Sequence, residues 1–352
     1  MKKSIFLLGV AVAAMTSCSN DELLEQIQPV QKAIGFESWV NKPTKAVNDV
    51  TAETLNEFYV FGYFTKDDAT EEVFDNVAVL KTDEDEHNGW DVQAKELWTN
   101  NAYSFAAYAN GVGTGAMEQA TPETDILNNV KFEKGTLTIE DYSLDDKDIL
   151  AAFNEVEAID NTEVENRQDV SMTFGHLLSK VSFKFTYAEA KENIKVQVTD
   201  ISLNVPLTAT CTATKSATTW ADHTGNKEYS FTDEDESKFE AITYANSGNI
   251  ALSEEFYVLP NEIEGAVLTF TATYMDTTQG DAVVREKTYS LPLSNGKVND
   301  DEYDWIANNV YQYNVSLPFS PLYIDFTVGG ITDWNTPANI VDITPNDAPI
   351  GE

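Results

Sequence analysis

The residues through which a chain could do acid-base, nucleophilic or metal chemistry are unevenly supplied here. The histidines are His87, His176 and His223, the cysteines are Cys18 and Cys211, and carboxylates are abundant. A hydrolase needs a nucleophile with an oriented base, or two carboxylates facing each other across a cleft. His87 and His223 stand in acidic or polar stretches, and His176 reads as a strand-end histidine bonded to backbone. None lies near a Gly-x-Ser-x-Gly elbow, and no His-x-x-x-His or Cys-x-x-Cys spacing offers a zinc site. Glycine-rich phosphate loops are absent as well. Asp83, Asp85 and Glu86, or Asp233, Asp235 and Glu236, could supply oxygen to calcium. Neither run has the Asx-x-Asx-x-Asx-Gly turn of a calcium loop, and both read as solvated acid. The expectation is a protein that is not an enzyme, with no cofactor and no metal.

The two cysteines have different settings. Cys211 falls in the alternating run Leu207 to Thr214, where strand periodicity puts it on one face with Leu207, Ala209 and Ala213, a buried structural thiol. Cys18 ends a different pattern: Lys2 and Lys3, an apolar run from Ile5 to Met15, then Thr16 and Ser17. That run of about eleven residues is too short to span a bilayer, which takes roughly twenty. It reads as a secretory signal. A small residue followed directly by Cys resembles the lipobox of bacterial lipoproteins, in which Cys18 would carry a lipid such as palmitate and become the new N-terminus. The alternative is an ordinary signal peptide cut near Ser17. Ser19, Asn20, Asp21 and Glu22 then resemble the surface-export tag of Bacteroidetes lipoproteins, implying the outer face of the outer membrane.

Composition narrows the partners. The chain has 352 residues, 59 of them acidic and 22 basic, for a formal charge of -37. Nucleic acid and anionic lipid surfaces need clustered Lys and Arg, so neither is expected as a partner, and contact with a membrane is expected only through an N-terminal lipid. Arg167 and Arg285 are the only arginines, too few for a bidentate phosphate clamp.

The elements that must position these residues are strands. Short runs alternate apolar and polar residues between Gly, Asn, Asp and Pro clusters. They are Ile34 to Val40, Glu57 to Thr65, Tyr103 to Tyr108, Val130 to Ile139, Val170 to Phe174 and Val181 to Tyr187. The second half adds Val196 to Leu203, Glu255 to Leu259, Leu268 to Tyr274, Thr288 to Leu293, Val310 to Leu317 and Tyr323 to Val328. Helical signals are confined to Thr51 to Phe58 and Lys147 to Phe153. In the second of the strands named above, Phe58, Tyr59, Phe61, Tyr63 and Phe64 put large residues on both faces, which suggests a position between two buried layers or beneath a covering loop. Trp90, Trp98, Trp220 and Trp305 lie at or near loops, where they either close a sandwich or stack on sugars. The alternation pauses between Tyr187 and Asn193, a candidate boundary. The expected class is all-β, with antiparallel β-sandwiches.

Several segments, in order, resemble the fimbrillin family of Bacteroidetes surface proteins, the subunits of type V pili. They are LNEFYVFGYFT from Leu55, YSFAAYAN from Tyr103, DILAA from Asp148, TFGHLLSKVSFKF from Thr173, YVLPNEIEGAVLTFTATYM from Tyr257, WIANNVYQYNVSL from Trp305 and ITDW from Ile331. The most specific piece is Phe174, His176, Leu177, Leu178, Ser179, Lys180 and Val181. The resemblance implies two transthyretin-like β-sandwich domains in tandem. The expected division is residues 1–18 as lipoprotein signal, 19–32 as exposed linker, 33–187 as N-terminal domain and 188–352 as C-terminal domain.

It also implies a pilus subunit that serves adhesion, located on the cell surface as an outer-membrane lipoprotein, in a fimbrium, or both. In such proteins a trypsin-like maturation protease removes the N-terminal strand, and a strand from another pilus subunit fills the slot. Ile34, Phe36, Ser38 and Val40 form one face of a strand suited to displacement, and Lys45 followed by Ala46 is the corresponding cleavage site. The family position is often Arg, so the protease implied here is Lys-specific or broader. Ala338, Ile340, Val341 and Ile343 lie in an alternating tail that is either a donor strand or the last strand of its own domain. Stalk, tip and anchor roles stay open, as does a monomeric surface lipoprotein that binds a glycan or host protein.

Overall fold

The computed structural model describes residues 32–40, 54–66, 69–82, 89–111, 127, 129–145, 147–187, 191–230, 242–243, 251–252, 255–261, 263, 265–295, 304–317 and 325–333. The first half of the chain forms β1 (Phe36–Val40), β2 (Glu57–Lys66), β3 (Ala69–Lys81), β4 (Trp90–Val92), β5 (Ala102–Asn110), β6 (Val130–Glu133), β7 (Thr136–Ser143), β8 (Ile149–Val156), β9 (Val170–His176) and β10 (Ser179–Tyr187). The second half forms β11 (Ile194–Val205), β12 (Thr208–Ala213), β13 (Thr218–Thr224), β14 (Lys227–Ser230), β15 (Ile242–Thr243), β16 (Ala251–Leu252), β17 (Phe256–Val258), β18 (Val267–Asp276), β19 (Ala282–Pro292), β20 (Asn309–Leu317) and β21 (Asp325–Asp333). Helical structure among the described residues consists of short 3-10 turns at Asn161–Asn166, Thr277–Gln279 and Leu293–Asn295. The all-β sandwich class read from the alternation is the class observed.

Among the described residues the strands form four sheets. One runs β1-β9-β8-β5-β2-β3-β4, one β16-β10-β20-β21 with β17 also on β10, one β14-β11-β18-β19 with β15 also on β11, and one β13-β12-β7-β6. Pairing is antiparallel except at β1 with β9 and β10 with β20, which are parallel. The fourth sheet joins the two halves of the sequence, since β7 pairs with β12. The pause between Tyr187 and Asn193 falls between β10 and β11. β10, within the expected 33–187 division, pairs with β16, β17 and β20.

The centre of the seven-stranded sheet, at β2, β5 and β8, is buried on both faces. Phe58 and Val60 of β2 pack into a smaller apolar cluster, while Tyr59 and Phe61 face a larger one. Tyr103, Phe105 and Ala107 of β5 join the smaller cluster, and Ala106 and Tyr108 the larger. The aromatic-rich strand at β2 therefore lies between two buried layers, as its sequence predicts. A strand apolar on both faces is what such a position requires.

The helical expectation at Lys147 to Phe153 is corrected: residues from Ile149 onward are β8. Ala151 and Ala152 favour helix locally, but Leu150 and Ala152 pack into the smaller cluster and Ile149 and Ala151 into the larger. Burial on alternate sides outweighs a propensity worth a few tenths of a kcal/mol, on the order of that scale. Likewise Glu57 and Phe58, at the end of the Thr51 to Phe58 segment, belong to β2.

Candidate functional site: the slot filled by the first strand

β1 is short, and its pairing is one-sided. Its partners along β9 run Phe36 with Val170, Glu37 with Ser171, Ser38 with Met172, Trp39 with Thr173 and Val40 with Phe174. The Val170 N-H donates to the Gly35 carbonyl at 2.8 Å. Just before β1 the chain pairs with the segment between β4 and β5. Ala33 bridges Leu97, the Ile34 N-H donates to the Glu96 carbonyl at 2.9 Å, and the Trp98 N-H donates to the Lys32 carbonyl at 3.0 Å. Residues 32–34 thus tie the lead-in to β1 to the segment that follows β4, while β1 itself stays an edge strand paired only with β9.

Side chains follow the period of two read from the sequence. Ile34, Phe36 and Val40 are buried, Ser38 is half-buried, and Trp39 points outward with 60% of its surface exposed. Phe36 is the centre of the arrangement. Its ring meets Phe58, Phe74 and Phe105 edge-on, with centroids 6.4, 5.6 and 5.5 Å away. Edge-to-face aromatic contacts in this range add about 0.5–1.5 kcal/mol each beyond area burial. β1 fills an aromatic slot that the other six strands of its sheet leave open.

Arg167 organises one end of that slot, a role not found in the sequence. Its guanidinium donates to the carbonyls of Thr99 at 3.0 Å, Asn101 at 2.6 Å and Glu157 at 3.1 Å. It lies 4.9 Å from the Trp98 ring centroid and 5.5 Å from that of Tyr103. Burial pulls its pKa down from the ordinary value, and among the described residues no carboxylate pairs with it. The Arg167 carbonyl accepts from Lys32 Nζ, so the residue that fixes the rim also holds the segment leading into β1.

The most specific sequence motif lies at the junction of the two clusters. Met172 and Phe174 belong to the smaller cluster, while Leu177, Leu178 and Val181 belong to the larger. Between them His176 is fully buried, with Nδ1 2.7 Å from Asp148 Oδ2. A carboxylate partner that the sequence pattern does not predict stands here, because the buried Asp148 lies beside β9 just before β8. Lys180 lies 3.3 Å from Glu255 and 5.2 Å from the Tyr257 ring centroid. The Ser179 hydroxyl donates to the Ile306 carbonyl at 2.6 Å. Four segments that carry the family resemblance therefore converge here.

Other expected residues fall into place or outside the description. Cys211 is buried, and burial pushes its thiol pKa well up. Trp90, Trp98, Trp220 and Trp305 are all buried, closing the sandwich rather than offering open faces. Cys18, Lys45, Ala46, the tail residues Ala338, Ile340, Val341 and Ile343, and both acidic runs considered for calcium lie outside the described residues. Among the described residues no cluster of three or more His, Cys, Asp or Glu could hold a metal ion.

Comparison with known proteins agrees with this architecture. The model of the fimbrillin-like family matches residues 44–334. A crystal structure of a fimbrial protein from Bacteroides vulgatus superposes with a TM-score of 0.53 at 13% identity, covering 86% of this chain and 99% of that one. A Bacteroides uniformis protein provisionally assigned to cell adhesion gives a TM-score of 0.43 at 16% identity, over 88% of this chain and 100% of the other. A Bacteroides ovatus protein with the same provisional assignment gives 0.44 at 15% identity, over 86% and 98%. No curated protein matches. With the family model covering most of its length, the chain belongs to the fimbrillin-like family.

Proposed function

We propose that this chain is a pilus subunit serving adhesion, exported as a lipoprotein through Cys18 and assembled at the cell surface by strand exchange. Cleavage by a trypsin-like protease after Lys45 frees Ala46 as a new N-terminus. Ile34, Phe36, Ser38 and Val40 then leave the slot with their strand, and an extended strand from another subunit enters. The tail residues Ala338, Ile340, Val341 and Ile343 are the candidate donor. An N-terminal unit holding the slot and a C-terminal unit built on the larger cluster are part of this reading.

The observation that carries it is the position of β1. The strand ends its sheet, has five residues in a parallel ladder with β9, and places Phe36 at the centre of an aromatic cluster. Parallel pairing is slightly weaker per residue than antiparallel pairing, so a short parallel edge strand is exchangeable once its covalent tether is cut. Loss of the strand bares ladder groups and an apolar slot together, and one incoming strand satisfies both. The family match begins at residue 44, beyond β1, which suits a first strand absent from the mature subunit.

Treating the purified chain with a Lys-specific protease tests the reading. The expected result is loss of the segment ending at Lys45, followed by ladders that survive mild detergent. Retention of the segment, or cut protein that stays monomeric, contradicts it.

A further inference from the structure

A cavity of about 630 Å³ opens between the β2–β3 hairpin and the β6–β7 hairpin. This is within the size range of small-ligand sites, roughly 300–1,000 Å³. Its shape is built into the backbone. The β2–β3 ladder shifts register on both sides of Gly62, and bulges of this kind re-aim side chains beside functional clefts. A Cβ at Gly62 would come within 2.7 Å of the Phe105 ring and 3.2 Å of Phe74, so glycine here lets the bulge sit against the smaller aromatic cluster behind the strand. Opposite, Lys134 and Gly135 both have positive φ, at 51° and 78°, between the paired residues Glu133 and Thr136. That is the tight two-residue turn that suits a twisted hairpin, and it fixes the second wall.

The lining combines two kinds of surface. Phe61 lies at the base, while the half-buried rings of Tyr63 and Phe132 sit with centroids 5.2 Å apart. Around them the rim is polar and exposed. Thr65 and Thr70 face each other across the β2–β3 pair, and Glu72, Asp75 and Glu133 bring carboxylates beside Lys131 and Lys134. Lys131 is already engaged by Glu140 at 2.8 Å.

We propose that this cleft binds a neutral oligosaccharide. Aromatic rings supply apolar surface for sugar C-H faces. Hydroxyl, carboxylate and ammonium groups on one rim supply both donors and acceptors, which is what sugar hydroxyls need, since each both donates and accepts. Carboxylates on the rim of a strongly acidic chain disfavour acidic sugars. The site is separate from the slot, although Phe74 borders the cleft and also packs 5.6 Å from Phe36.

The test is an array of neutral and acidic oligosaccharides probed with the purified, uncut full chain, followed by titration of the strongest neutral hit. The expected result is capture of neutral sugars, weakened about tenfold or more by Tyr63→Ala and by Phe132→Ala. Thr70→Trp, which fills the opening from an exposed position, is expected to abolish capture while leaving the melting temperature unchanged. That variant decides the matter if either ring substitution impairs folding. No neutral sugar captured, capture of acidic sugars only, or neutral capture indifferent to Thr70→Trp overturns the proposal.

Discussion

Phe36, Arg167 and His176 hold the first strand and the junction behind it, and each makes a distinct prediction. Phe36→Ala empties the centre of an aromatic cluster in which its ring meets three others. Denaturant titration of the uncut chain should show a loss of about 3–5 kcal/mol. Arg167→Lys keeps a charge but not the planar fork that reaches three carbonyls. It should cost about 1–3 kcal/mol and loosen residues 32–34, read as faster amide exchange at Ile34 and Trp98. His176→Ala leaves the buried Asp148 carboxylate without its 2.7 Å contact. Losing one partner of a buried hydrogen bond costs about 1–3 kcal/mol, again measured by denaturation. Of these three, only Phe36 was legible as a slot residue in the sequence, through alternation with Glu37 and Trp39. Arg167 was not, because its partners lie in loops with no periodic signal. Asp148 was hidden as the partner of His176 because it stands at a distant strand end.

Strands with one more open face announced themselves by alternation, as β1 and β11 did. The segment Val130 to Ile139 reads as one strand but folds as β6 and β7, because the turn needs only Lys134 and Gly135. β3 carries Thr70, Glu71 and Glu72 on an exposed stretch where no apolar period appears, so its length came from pairing with β2. β8 was obscured by the opposite condition, apolar residues on both faces. The parallel pairing of β1 with β9 joins residues far apart in the chain, information that no local pattern carries. Pairing geometry also makes a prediction for the slot. Ser38 is half-buried between buried Phe36 and Val40, so Ser38→Trp should overfill it. The cost is about 1–3 kcal/mol, seen as a lower denaturation midpoint of the uncut chain.

A formal charge of -37 makes subunits repel one another, so strand exchange between copies has to overcome a long-range barrier. Screening at 0.1 M salt shortens the reach of exposed charges to about 10 Å. Ladder formation by protease-treated subunits should therefore accelerate from low to moderate salt. An alkaline limit is set by buried tyrosines. Burial raises Tyr108 from its usual value of 10.0 to about 12, and raises Tyr142, Tyr274 and Tyr313 as well. The neutral phenol is favoured in the folded chain, so this contribution to stability is complete below pH 10.0 and is lost as the pH rises toward about 12. Phenolate absorbance from these tyrosines should appear together with unfolding in that window. The proposal of strand exchange stands or falls on the N-terminus of the protein recovered from cell-surface fibres. Sequencing should give Ala46, with β1 gone and its slot filled by another subunit. Fibre protein that begins at Cys18, with residues 19–45 attached, would contradict it.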